Sequence, residues 1–150
     1  MCNEFSTRTS QGGALAILRP LYALSNADGG ASILNNEQIK VTLQEERCPK
    51  GERTGTVLFS FLADGQRKRD LQECRIEIHA DGDLVPSPTR DSRPALHALS
   101  VPFGASKINV LDQNSKLRLI VGEGGVIGRR MSMVDAQSGG RIAEGVIGWN

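Results

Sequence analysis

Histidine is scarce in this chain: His79 and His97 are its only two, and His79 is followed by Asp81 and Asp83. A histidine beside a carboxylate is the beginning of a general base and the acid that orients it. A hydrolase would also need a presented nucleophile, and no Gly-x-Ser-x-Gly turn occurs. Asp81 and Asp83 offer oxygen ligands suited to calcium, but no distal Glu follows at loop spacing. The three cysteines, Cys2, Cys48 and Cys74, and the two distant histidines show neither Cys-x-x-Cys nor His-x-x-x-His spacing, so no zinc site is expected. Gly122, Glu123, Gly124 and Gly125 lack the Gly-Lys-Ser/Thr ending of a phosphate loop and read as a turn or bulge. The expectation is no catalytic, cofactor-binding or metal-binding residue. Asp81 and Asp83 then belong to a strand-ending turn, and both histidines are solvated.

The cysteines carry a different chemistry. Cys2 follows Met1 and precedes a polar stretch, the arrangement of an acylated lipoprotein cysteine with a start methionine in front. Residues 1–12 then form a flexible tether ahead of a single domain, 13–150. Setting Cys2 aside leaves Cys48 and Cys74 as an even pair. A bond between them closes a loop of about 26 residues and stabilises by about 3–4 kcal/mol in the chain-entropy account. Such a pair suits an oxidising compartment such as the periplasm. The opposing reading is free thiols in a cytosolic module, with Cys74 serving as a small core residue. Arg67, Lys68 and Arg69 form the densest charge cluster and are the candidate contact for an acidic partner surface, against a reading as solvated turn charges.

The whole chain narrows the classes further. At 150 residues it is the size of one domain and long enough to bury its own core. Lys and Arg total 18 against 17 Asp and Glu, a net charge of +1, which argues against a dedicated nucleic-acid binder. With four Phe, one Tyr and one Trp, it lacks the aromatics of a stacking platform. No apolar run reaches the roughly 18 residues of a membrane-spanning helix.

Period-two alternation dominates and sets the elements. Ile39, Val41 and Leu43 alternate with polar residues, as do Cys74, Ile76 and Ile78, and Leu117, Leu119 and Val121. Val57, Phe59 and Phe61 share a face while Leu58 and Leu62 take the other, which predicts a strand covered on both sides. Residues 126–134 and 141–149 complete the set, with Trp149 expected to pack in the core. Pro20 is expected to split residues 14–24 into two short strands. Asp64 and Gly65 predict a hairpin from the Phe59 strand to the Cys74 strand, and residues 137–140 predict another between the last two strands. Three prolines exclude a central strand over 85–94, and Pro94 is placed to open a short helix. The fold expected is all-β, an antiparallel β-sandwich with a small β-barrel as the alternative and at most one short helix.

The run from Lys116 through Val134, Asp135, Ala136, Gln137, Ser138 and Gly139 to Gly145 resembles a hairpin of small bacterial envelope lipoproteins. There a strand ends in Val-Asp-Ala-x-Thr/Ser-Gly and the return strand opens with a short aliphatic-Ala-x-Gly segment. The resemblance spans residues 116–149 and implies an address rather than an activity. Together these features predict a non-enzymatic, periplasm-facing protein, lipid-anchored at Cys2, that binds another envelope protein and no nucleic acid. One alternative is an inhibitor of a secreted or periplasmic hydrolase, inserting residues 85–94 into its target. The other is a cytosolic β-barrel binding module.

Overall fold

The computed structural model describes residues 13–21, 38–47, 49–51, 53–63, 74–101, 107–110 and 117–150. Ten strands follow in chain order: β1 (Ala14–Pro20), β2 (Ile39–Arg47), β3 (Arg53–Ala63), β4 (Cys74–Ile78), β5 (His97–Val101), β6 (Lys107–Val110), β7 (Arg118–Val121), β8 (Gly125–Ile127), β9 (Arg130–Asp135) and β10 (Arg141–Trp149). One helical turn, α1 (Pro88–Asp91), lies between β4 and β5. Eight strands form one sheet in the order β5-β4-β9-β10-β1-β2-β3-β6, and every neighbouring pair is antiparallel. β7 and β8 pair separately and in parallel. The main sheet curls into a half-barrel. The protein is therefore all-β, and its single curled sheet stands nearer the barrel alternative than a stack of two sheets.

The alternation explains the core. Successive strand residues point to opposite faces, and antiparallel register carries each inward set across to its neighbour. Ala16 lies opposite Val41 on one side and Ile147 on the other, and Ile76 lies opposite Met133. Ala14, Ala16, Leu18, Ile39, Val41, Leu43, Phe59, Ile76, Ile78, Met131, Met133 and Ile147 are all buried on this side, joined by Leu117 and Val126. β1 and β10 approach closely at Gly145, where a Cβ would collide with the Ile17 carbonyl oxygen.

Several expectations are revised. β3 is flanked by β2 and β6, and β4 by β5 and β9, so the predicted β3–β4 hairpin does not form. Asp-Gly permits a reversal but does not select a partner, and the C-terminal hairpin β9–β10 stands between β4 and β1 instead. The run 126–134 is broken by Gly128, which takes a left-handed φ of 83°. β1 reaches Pro20 as one strand, and the second strand expected beyond it lies outside the described residues. The helical turn starts at Pro88 rather than Pro94, and residues 97–101 are strand. Trp149 falls opposite Ala14 at the end of the sheet and remains 44% exposed, so it does not seal the core.

Candidate functional site

β9 is buried from Arg130 to Val134, along both of its faces. Met131 and Met133 point into the core, so Arg130 and Ser132 stand on the opposite face, yet both are fully buried. Register sets Ser132 between Glu77 of β4 and Glu144 of β10. A row of polar side chains thus crosses three strands, buried at Ser132 and Glu144 and half-buried at Glu77.

The chain leaving β4 completes the site. The His79 N–H donates to the Arg130 carbonyl at 2.9 Å and the Arg130 N–H to the Asp81 carbonyl at 2.6 Å, extending the ladder past Ile78. The excursion returns at Leu96, whose N–H donates to the Ile78 carbonyl. Asp81, at its start, accepts from Arg130 Nε at 3.1 Å, and Asp91, in α1, accepts from Arg141. Both arginines converge on Glu144 Oε1, Arg130 at 3.5 Å and Arg141 at 3.4 Å. Arg129 donates to the Ala80 carbonyl from the side.

His79 sits inside this network and is 2% exposed, so it is not the solvated histidine that the polar side of an alternating strand suggested. Its Nε2 lies 3.1 Å from Ser132 Oγ and 3.7 Å from Glu77 Oε2, and Arg130 Nη1 donates to the same hydroxyl at 3.4 Å. Serine, histidine and carboxylate are together, but the hydroxyl and the carboxylate meet the same ring nitrogen. Nucleophile activation needs the acid on Nδ1, and Nδ1 has no partner among the described residues. The carboxylates considered from the sequence are engaged elsewhere: Asp81 with Arg130, and Asp83 Oδ1 with the Val85 N–H at 2.8 Å. The cluster has the composition of a triad without its geometry.

Electrostatics fix the charge states. Burial pushes the His79 imidazole below its ordinary value and Arg130 adds to the effect, so the ring is neutral at pH 7. Burial works against the Asp81 carboxylate, but hydrogen bonding and charge from Arg130 outweigh it and hold the group below the usual range. Arg130 carries its charge with no exposure, which is stable only because Asp81 and Glu144 compensate it.

Of the residues singled out in the sequence, Cys2, Cys48, Arg67, Lys68 and Arg69 lie outside the described residues, as does the tether 1–12. Cys74 is buried on the core face of β4, where burial raises the pKa of its thiol, and it is bonded to no other cysteine among the described residues. Gly122 and Gly124 form the expected turn, with left-handed φ values and the Gly125 N–H donating to the Gly122 carbonyl. The sequence reading missed Arg130, Ser132, Glu144 and Arg141. No protein-family model and no curated protein matches this sequence.

Proposed function

We propose that this protein is a non-enzymatic binding or assembly accessory of a bacterial envelope, facing the periplasm and anchored through Cys2. Its contact is the edge of β5, along which an extended segment of another envelope protein adds as a further strand. The observation carrying this reading is the character of that edge. Sheet edges are ordinarily guarded against pairing by charged side chains, proline or a bulge. β5 reads His-Ala-Leu-Ser-Val, without proline or a formally charged residue, and its register with β4 is uninterrupted from Val101 to His97. Among the described residues no strand lies on its other side. Main-chain addition demands no distinctive side chains, which accords with a sequence that displays no motif.

Proline scanning through residues 97–101 tests the proposal. Antiparallel strands direct alternate N–H groups outward. Proline at outward positions should abolish cross-linking of the partner from a photoreactive residue at Ser100, with the melting temperature nearly unchanged. Proline at inward positions should lower the melting temperature. Cross-links that persist in every proline variant, or that join two copies of this chain, would overturn the reading.

A further inference from the structure

The excursion from His79 to Leu96 is attached to the sheet by polar contacts rather than by apolar packing. His79, at its root, is buried, but from Ala80 to Leu96 every side chain whose burial is described is exposed or half-buried. Arg130 grips the excursion at Asp81, Arg141 grips it at Asp91, and Arg129 donates to the Ala80 carbonyl. The Leu96 N–H closes it onto Ile78. A segment with so few buried apolar contacts opens at a lower free-energy cost than the core unfolds.

The root of the excursion cannot accommodate a second ring proton as it stands. His79 Nε2 faces the Ser132 hydroxyl and Glu77, while Nδ1 is buried with no partner among the described residues. A protonated imidazole carries a hydrogen on each nitrogen, so charging the ring in place buries an unsatisfied donor. The surrounding charges come from every neighbouring element. β4 supplies Glu77, which Arg75 also engages at 2.6 Å; β9 supplies Arg130; β10 supplies Arg141 and Glu144; the excursion supplies Asp81 and Asp91. Glu77 and Asp81 favour a charged ring, but burial and then Arg130 and Arg141 oppose it, and the balance lies against the proton. Arg130 Nη2 is a second buried donor without a partner among the described residues. Opening the excursion would give both nitrogens access to water. From this arrangement we infer that protonation of His79 is coupled to release of residues 79–96 from the sheet, so that the excursion is held closed at neutral pH and opens in mild acid while the remaining strands stay folded.

The inference does not rest on strand addition at β5, so the two can fail independently. Above about pH 6.5 the ring is neutral in the closed and opened forms alike; below it the opened form takes the proton first, which favours opening. The test is amide hydrogen exchange of the full chain at pH 7.5 and pH 5.5, with and without low urea, each rate divided by the intrinsic rate at that pH. The Arg130 amide is the reporter, because its acceptor is the Asp81 carbonyl on the excursion. It should be less protected than the paired amides of β1 and β2 and insensitive to low urea, since opening exposes little apolar surface. Its protection should fall by up to about tenfold between the two pH values, the most that one group of ordinary pKa about 6.5 supplies. His79→Gln should abolish that fall, and His97, opposite Ile78, remains in this variant as a control for the other histidine. Asp91→Asn weakens the second grip and leaves His79 in place, so it should speed exchange at both pH values by a similar factor. Equal protection at the two pH values in the parent, an undiminished fall in His79→Gln, an Asp91→Asn variant that exchanges no faster than the parent, or an Arg130 amide with the urea dependence of the β1–β2 amides would overturn the inference.

Discussion

His79 shows how one buried side chain sets a property of the protein. Its ring is kept below its ordinary pKa by burial and then by Arg130, while Glu77 and Asp81 pull the other way and Arg141 adds to the depression. Above about pH 6.5 the ring is neutral in both folded and unfolded chains and contributes no pH dependence. Below that, the unfolded chain takes a proton that the folded one resists, so stability falls and levels off once the pH passes the folded pKa. Urea midpoints should therefore drop between pH 7 and pH 5, and a His79→Gln variant should flatten this window. Asp81 acts at lower pH: its depressed carboxylate stabilises the fold above its unfolded value of about 3.9 and loses that contribution in stronger acid. A midpoint independent of pH from 7 to 5 in the parent would remove His79 from this role. The cluster was hard to read in advance for a physical reason. Alternation in Arg130, Met131, Ser132 and Met133 separates two faces correctly, but it carries no information about what covers the second. A polar strand face is ordinarily wet, whereas a charge-compensated network keeps this one dry.

At the scale of elements, local chemistry was legible and partner choice was not. The β9–β10 turn follows from its residues: Asp135 accepts from the Gln137 N–H and the Ser138 hydroxyl, and Gly139 takes a left-handed φ of 69°. The first of those bonds and then the second hold the Asp135 carboxylate below its usual range. By contrast, the turn residues after β3 signal a reversal without naming the strand that β3 joins. Strand proximity leaves its own trace in the glycines of β10. At Gly145 a Cβ would meet the Ile17 carbonyl oxygen, so Gly145→Ala must push β1 from β10 and should cost about 1–3 kcal/mol. At Gly148 the nearest atom to a Cβ is the Leu15 oxygen at 3.9 Å, and Gly148→Ala should be neutral or stabilise by about 0.5 kcal/mol. Equal denaturant midpoints for the two variants would show that β1 and β10 do not approach as described.

Across the whole molecule, the same order of strands makes β10 the joint between two halves. β5, β4 and β9 lie on one side of it, and β1, β2, β3 and β6 on the other. In the main sheet, the pairing of β10 with both β9 and β1 is what makes these groups continuous. Sequence patterns revealed strands in both halves but gave no sign that the last strand would lie in the middle, because alternation is a local property and sheet order is not. The β1–β10 pairing links the two ends of the described chain, a contact of large sequence separation. A chain ending at Gly140 keeps every residue of the other main-sheet strands and loses only the joint. It should then lack the cooperative transition of the full chain, unfolding in urea with a lower m-value because less surface is buried in one unit. Near-ultraviolet circular dichroism should weaken at the same time. Adding residues 141–150 in trans should restore part of both signals, since the slot between β9 and β1 would accept the strand it lost. A truncated chain with the parent's m-value would mean that the halves hold together without β10, and the sheet order would have to be redrawn.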